Sequence, residues 1–89
     1  MPETAEHRVK RLAMRSMRRG IKEMDLILSA FAQANLASMD DAGLTLYDRM
    51  LNENDHDLYQ WVTGQVDPPT DYAGLINRIK AQISTARTV

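Results

Sequence analysis

The sequence lacks cysteine altogether and has one tryptophan, one phenylalanine and three prolines among its 89 residues. Without cysteine, these residues form no disulfide, iron–sulfur or thiolate zinc site. The apolar runs are a few residues long, whereas a membrane span needs about 20. Hydrophobic residues make up 44% and charged residues 26%, a composition typical of a folded soluble chain. The length predicts a single domain over residues 1–89, with a core over about 4–84 and a flexible tail over 85–89.

Motifs for catalysis or cofactor binding are also lacking. The sequence contains no H-E-x-x-H, G-x-S-x-G, P-loop or G-x-G-x-x-G pattern. Its two histidines, His7 and His56, lie in unrelated contexts. A run through Asn52, Asn54 and His56 has the spacing of a calcium loop, but the sixth position is Asp57 instead of glycine. We therefore expect no catalytic, cofactor-binding or metal-binding residues, and the sequence disfavours a self-contained enzyme.

Hydrophobic periodicity predicts five helices and no strand. We expect helices at about 3–18 and 21–35, a third from an N-cap at Ser38 to Leu51, a fourth from an N-cap at Asp55 to Gly64, and a fifth from an N-cap at Thr70. Short connections between these helices are typical of an antiparallel bundle. The predicted fold class is therefore all-α, a small single-domain five-helix antiparallel bundle.

Two helices have well-defined apolar faces. The predicted buried face of the first helix consists of Ala5, Val9, Leu12, Ala13 and Met17, and that of the last helix of Tyr72, Leu75, Ile76, Ile79 and Ile83. Trp61 is spaced with Leu58 and Val62, so we interpret it first as a packing residue and second as an interface residue. Tyr59 falls off that face, and the sequence leaves its burial open.

The charges are distributed unevenly along the chain. Residues 1–22 carry seven basic and two acidic side chains, a surplus of +5, and the remainder carries −6. On a straight helix, an arc of about 80° would contain Arg8, Arg11, Arg15, Arg18 and Lys22. Three interpretations stay open: a solvated face, a docking surface for an acidic partner, and a nucleic-acid site. The sequence pI of about 6.0 and the lack of interleaved aromatics argue against nucleic acid.

The basic N-terminal segment also bears on localisation. An Arg-rich amphipathic start is typical of mitochondrial transit peptides, but these avoid acids, and Glu3 and Glu6 lie near the start here. An ordinary first helix is the favoured interpretation. We expect a cytoplasmic protein, or one of the mitochondrial matrix if the N-terminus is the remnant of a processed form.

A short polar segment follows the first helix. Arg19 and Glu23 lie four residues apart and can pair, in the weaker Arg-before-Glu order, across Gly20. Glycine weakens a helix but lets another backbone approach closely. A planar guanidinium next to a bare Cα suits bidentate capture of a carboxylate or of carbonyl groups. The segment therefore predicts a docking socket for another polypeptide at Arg19 and Gly20.

Two spaced motifs make the sequence resemble a known family. The first is R-G-x-x-E, read as Arg19 to Glu23 and followed by Asp25. About thirty residues later comes D-x-D-L-aromatic-x-W, read as Asp55 to Trp61, before a proline connector and a last amphipathic helix. Over roughly residues 8–83 the chain resembles the SdhE/YgfY family, that is, the succinate dehydrogenase assembly factor 2 or flavinator family. It departs from the family pattern at His56, where proline is common, and in its more basic start.

The resemblance implies a small YgfY-like helical assembly factor. Such proteins bind the flavoprotein subunit of succinate dehydrogenase or fumarate reductase and promote covalent attachment of FAD to a histidine of that subunit. The resemblance implies no stably bound cofactor, because the FAD belongs to the partner. The partner-binding residues would be Arg19, Gly20 and Glu23, flanked by Arg8, Arg11, Arg15, Arg18 and Lys22. The second motif adds Asp55, Asp57, Tyr59 and Trp61 as candidates, although Asp55 and Asp57 are interpreted first as helix caps.

Other functions remain open on the sequence alone. They are an antitoxin-type or regulatory protein-binding module, a nucleic-acid binder acting through the first helix, and a self-associating structural bundle. The flavoprotein hypothesis predicts a free monomer, a 1:1 complex with the partner subunit, no nucleic acid and no membrane insertion.

Overall fold

The computed structural model describes residues 3–87, with side chains described for 3–83, and it is all-α. The helices are α1 (Ala5–Arg15), α2 (Lys22–Asn35), α3 (Asp41–Met50), α4 (Asp55–Val62) and α5 (Thr70–Arg87), with a 3₁₀ turn at Leu36–Ser38 after α2. Residues 3–87 contain no strand. The predicted fold class and the number of helices are confirmed.

The core forms around α2, which contacts α1, α4 and α5. Its central members are fully buried: Leu12, Met24, Leu28, Tyr47, Met50, Leu58, Ile76 and Ile79. The rings of Phe31 and Tyr47 lie 5.6 Å apart between centroids, and those of Trp61 and Tyr72 lie 6.0 Å apart. Burial of Trp61 and of the α5 face through Ile79 agrees with the predicted apolar stripes, whose spacing follows the helical repeat.

The first helix is shorter than predicted, and two residues assigned to its buried face, Ala5 and Met17, are exposed. α1 ends at Arg15, and Ser16 is its C-cap. Met17, predicted to be buried, is 51% exposed, while Ser16 is fully buried. Ser16 Oγ donates to the Leu12 carbonyl at 2.8 Å and lies 2.6 Å from Tyr47 Oη. The buried Ser16 hydroxyl is thus satisfied by two partners. Met17 lies beyond the C-cap, off the predicted apolar face.

A left-handed turn separates α1 from α2. Arg18 has φ 55°, a conformation that is uncommon for a residue other than glycine. Its backbone N–H donates to Asp25 Oδ2 at 3.0 Å, which ties the turn to the first part of α2. The predicted continuous basic stripe from Arg8 to Lys22 is therefore wrong: Arg18 lies in the turn and Lys22 begins α2.

Two predicted N-caps lie one or two residues away from the observed ones. Asp40, in place of Ser38, caps α3 through an Oδ1 that accepts from the Gly43 N–H at 2.8 Å. Asn54, in place of Asp55, caps α4 through an Oδ1 that accepts from the His56 N–H at 2.8 Å. Asn and Asp are both good caps, so composition alone does not choose between neighbours. Because Asn54 caps α4, the Asp55 carboxylate is available for contacts with Arg19 and Gly20.

The end of α4 and the start of α5 lie close to their predicted positions. Gly64, with φ 81°, stands just past the end of α4, as expected for a helix-terminating glycine. α5 begins at Thr70 and continues to Arg87, beyond the start of the predicted tail at residue 85. Residues 88 and 89 of that tail lie outside the described residues. None of the described helices is long and apolar enough to cross a membrane.

Candidate partner-docking site

The turn before α2 is fastened to the start of α4 by one carboxylate. Asp55 Oδ1 accepts a hydrogen bond from Arg19 Nε at 2.8 Å, and Asp55 Oδ2 accepts one from the Gly20 N–H at 2.6 Å. The side chains of Arg19 and Asp55 are 12% and 17% exposed. Charge-assisted hydrogen bonds of this kind are short and about twice as strong as neutral ones. The carboxylate therefore holds both the side chain of Arg19 and the backbone of Gly20.

The rest of the Arg19 guanidinium is also used within the chain. Its Nη1 donates to the Arg15 carbonyl at 3.0 Å, and its Nη2 donates to the Leu51 carbonyl at 3.1 Å. Arg19 thus joins the ends of α1 and α3 to the start of α4. The predicted pairing of Arg19 with Glu23 is replaced by the pairing with Asp55. These three internal acceptors hold the guanidinium in place, and Arg19 thereby positions the turn.

Gly20 is exposed, and its lack of a side chain has a visible reason. A Cβ placed on Gly20 would lie 3.1 Å from Asp55 Oδ2, tighter than nine in ten real Cβ contacts. The bare Cα thus allows the close approach of this chain's own carboxylate. Because Gly20 is also on the surface, its outer side stays open to a second polypeptide.

The arginines of α1 are paired with other parts of the same chain. The contacts are Arg8 with Asp41 at 2.6 Å and with Thr45; Arg11 with Glu3 at 2.8 Å and with Asp48 at 3.1 Å; and Arg15 with Asp48 and, at 2.7 Å, with Asn52. Most of these acceptors belong to α3. The basic face therefore docks α1 onto α3, and this internal neutralisation disfavours a site for an external polyanion.

The ion pairs shift the titration of their members. Hydrogen bonding to Arg11 holds the pKa of the Asp48 carboxyl below its usual range, with the Arg11 and Arg15 charges adding to the effect. The pKa of Glu3 is lowered mainly by its hydrogen bond to Arg11. The same two carboxylates raise the pKa of Arg11. Each of these groups is thus held in its charged form by its partners.

Three charged side chains around Gly20 remain exposed and, within the described part of the chain, have no hydrogen bond or ion pair. They are Arg18, Lys22 and Glu23. We call them, together with Gly20, the Gly20 surface. Exposed charges of both signs next to an open backbone can select a partner through its charge pattern.

The second motif divides between core and surface. Trp61 is buried against Tyr72, in agreement with its interpretation as a packing residue. Asp57 and His56 are exposed on the first turn of α4, and Tyr59 is half-buried. The sequence did not reveal that Asp55 faces Arg19, 36 residues earlier in the chain.

Glu23 and Tyr59 meet at a surface pocket that the sequence did not indicate. The pocket has a volume of about 270 Å³ and is lined by Glu23, Ile27, Tyr59, Val62, Thr63 and Ile83. We call it the Glu23 pocket. Spacings of three and four residues on α2 and α4 give the signal that could have found it, but the contribution of Ile83 depends on tertiary packing. In the described part of the chain, no three His, Cys, Asp or Glu side chains cluster in a way that could hold a metal ion.

Comparison with known proteins gives the family. A family model described as "Flavinator of succinate dehydrogenase" matches residues 10–83. Curated relatives named "Succinate dehydrogenase assembly factor 2, mitochondrial" include one from Meyerozyma guilliermondii, 46% identical over 65 residues, which are 73% of this chain and 48% of that protein. Another, from Aspergillus flavus, is 51% identical over 61 residues, 68% of this chain and 20% of that protein.

A third relative covers nearly the whole chain. "Succinate dehydrogenase assembly factor 2-B, mitochondrial" from Drosophila mojavensis is 36% identical over 90 residues, 98% of this chain and 57% of that protein. The chain therefore spans about half the length of two of these relatives and a fifth of the other. Because the family match covers most of the chain and both of its sequence motifs, this chain belongs to the succinate dehydrogenase assembly factor 2, or flavinator, family.

Proposed function

We propose that this protein binds the flavoprotein subunit of succinate dehydrogenase, or of the related fumarate reductase, and promotes covalent attachment of FAD to a histidine of that subunit. Family membership supports the general role in assembly. The protein itself acts as an assembly factor and not as an enzyme, with the flavin and the acceptor histidine both supplied by the partner. The expected stoichiometry is one to one, with a monomer when free.

The observation that carries this proposal is the organisation of the R-G-x-x-E segment. Arg19 and Asp55 fix the turn from inside, while the Gly20 surface presents an open backbone and three unpaired charges to the outside. Holding a binding loop in one conformation reduces the entropy lost when a partner binds. We assign partner contact to Arg18, Gly20, Lys22 and Glu23, and positioning of that surface to Arg19 and Asp55.

The remaining predicted interface residues have three different roles in this proposal. Arg8, Arg11 and Arg15 act indirectly by docking α1 onto α3. Trp61 acts by packing the core behind α4. Asp57 and Tyr59 are exposed enough to contact the partner next to the Gly20 surface.

A helper without chemistry of its own can accelerate this reaction by selecting a conformer. Attachment requires the acceptor imidazole to be held in near-attack geometry against the flavin methyl carbon. The flavin ring supplies the electron-accepting chemistry when it is bound in the partner. The Gly20 surface would bind more tightly to the subunit conformer in which the two atoms meet, and that differential affinity shifts the population.

Co-expression with the flavoprotein subunit tests the proposal. Covalent flavin is measured by in-gel fluorescence with the wild-type chain, with an Arg18→Ala/Lys22→Ala variant, and without the chain. Wild type should raise the fluorescence above the level without the chain, and the double variant should lose most of that gain. Lys10→Ala, which removes an exposed cation from α1, is the matched control and should match wild type. Equal fluorescence with and without the wild-type chain would contradict the proposal.

A further inference from the structure

The Glu23 pocket lies between three helices and is walled by apolar groups that are not fully covered. Ile27, Tyr59 and Ile83 are half-buried at the edge of the core, and Val62 is buried beneath them. Partly exposed apolar side chains that surround a cavity of about 270 Å³ form a concave site for another apolar group. The apolar walls favour a bulky aliphatic or aromatic side chain over a polar one, because its burial removes more apolar surface from water.

The polar groups at the rim of the pocket differ in whether they have a hydrogen-bond partner within the chain. The carboxylate of Glu23 and the hydroxyl of Tyr59 are without partners in the described structure. The Thr63 hydroxyl already donates to the Tyr59 carbonyl at 2.7 Å. Among the residues that line the pocket, Glu23 alone carries a charge. The rim of the pocket is therefore negative, and it complements a basic group.

We propose that the Glu23 pocket binds a bulky apolar side chain of the flavoprotein subunit, next to a lysine or arginine of that subunit that pairs with Glu23. The inference rests on the proposed function and adds the chemistry of the partner segment. It also gives the charged residues of the Gly20 surface different partner groups. Arg18 and Lys22 attract acidic groups of the partner, whereas Glu23 and the pocket select a basic group and its apolar neighbour.

Binding measurements with the isolated flavoprotein subunit test the two features separately. By isothermal titration calorimetry, Glu23→Lys should weaken binding at least about tenfold, which corresponds to about 1.4 kcal/mol. Tyr59→Ala should weaken it by a similar factor because one wall is lost. Asp67→Lys, the same charge reversal at an exposed position in the connector before α5, should bind like wild type. Circular dichroism confirms that each variant is folded.

A photo-crosslinking experiment identifies the occupant and keeps the inference testable if Tyr59→Ala proves unstable. Benzoylphenylalanine replaces Tyr59, and in a control it replaces Ala42, which is exposed on α3. After irradiation with the flavoprotein subunit, mass spectrometry should map the Tyr59 crosslink to an apolar residue with Lys or Arg nearby in the partner sequence. The Ala42 position should give little product.

The outcomes separate the inference from the proposed function. If wild type binds the subunit and raises covalent flavin, but Glu23→Lys and Tyr59→Ala bind equally well, the pocket inference is wrong and the function stands. A Tyr59 crosslink to an acidic or purely polar partner segment also overturns the inference. If wild type shows no binding to the subunit, the pocket inference and the proposed function are both wrong.

Discussion

Arg19 and Asp55, which are 36 residues apart in sequence, form a short ion pair in which Arg19 Nε donates to Asp55 Oδ1 at 2.8 Å. The contact joins the two motifs through which the sequence resembles its family. The other oxygen of the same carboxylate holds the Gly20 N–H at 2.6 Å, so the pair determines the shape of the turn that precedes α2. The two motifs are therefore parts of one structural unit, in which α4 supports the Gly20 surface.

Breaking this pair from either side should destabilise the protein. Arg19→Ala and Asp55→Ala each leave a largely buried charge with fewer partners, which costs about 3–5 kcal/mol in comparable buried pairs. The double variant should cost clearly less than the sum of the two, because neither charge is then left behind. Urea denaturation of the four proteins measures the coupling. Strictly additive losses would show that the two side chains act independently.

Gly20→Ala should reduce stability because its Cβ would lie 3.1 Å from Asp55 Oδ2 and force the carboxylate to shift. Gly74→Ala is the matched control, since a Cβ there meets nothing within 4 Å and the position lies in α5. Alanine in an open helix interior should stabilise by about 0.5–1 kcal/mol relative to glycine. Thermal unfolding compares the two variants. Equal stabilisation at both sites would show that Gly20 is not closely packed against Asp55.

Asp48→Asn should make the folding stability less dependent on pH in the acidic range. The Arg11 hydrogen bond lowers the pKa of Asp48 in the folded protein, so its contribution is present above the unfolded pKa of about 3.9 and is lost as pH falls through the folded value. The variant should therefore be less stable than wild type at neutral pH, with the gap closing as the pH drops below about 4. Urea midpoints across this range provide the measurement.

Asp67→Asn serves as the control for that experiment, because Asp67 is exposed and has no described partner. Its difference from wild type should be small at every pH. A gap for Asp48→Asn that stays constant down to the lowest pH would show that the carboxylate charge is not what holds α1 to α3.

Ser16→Ala should cost more stability than Tyr47→Phe. Ser16 Oγ donates to the Leu12 carbonyl, so the Tyr47 hydroxyl is the donor in the contact between them at 2.6 Å. Burial is the main reason that the pKa of Tyr47 rises to about 12. Removing Ser16 leaves the buried Tyr47 hydroxyl without an acceptor, at a cost of about 1–3 kcal/mol. Tyr47→Phe leaves Ser16 bonded to Leu12, so equal losses in denaturation experiments would contradict this arrangement.

Local sequence patterns predicted the parts of the fold that depend on local physics. The α5 face was correct through Ile79 because one amphipathic stripe runs along a single helix. Met17 was misassigned because its spacing fits that of Leu12 and Ala13, whereas the helix ends at Arg15, two residues earlier. Apolar spacing continues past Arg15 and does not register where the backbone leaves the helix, in the turn where Arg18 has φ 55°.

The site was predictable in position but not in its internal connections. The sequence located the R-G-x-x-E segment and the second motif, and it indicated that a glycine there permits a close approach. It assigned that approach to a partner, whereas Asp55 of the same chain makes it. It also left the basic face of α1 open to several interpretations, because Asp41 and Asp48, which neutralise much of that face, lie more than thirty residues away from it. Long-range pairing of charges follows from tertiary packing and has no local signature.

Hydrogen–deuterium exchange of this protein, alone and with the isolated flavoprotein subunit, tests the proposed docking surface most directly. Binding should protect the segment 18–23 and the Tyr59 region of α4, while segment 8–15 of α1, already paired with α3, should exchange as in the free protein. Protection centred on 8–15, with 18–23 unchanged, would contradict the assignment of the Gly20 surface as the partner-docking site.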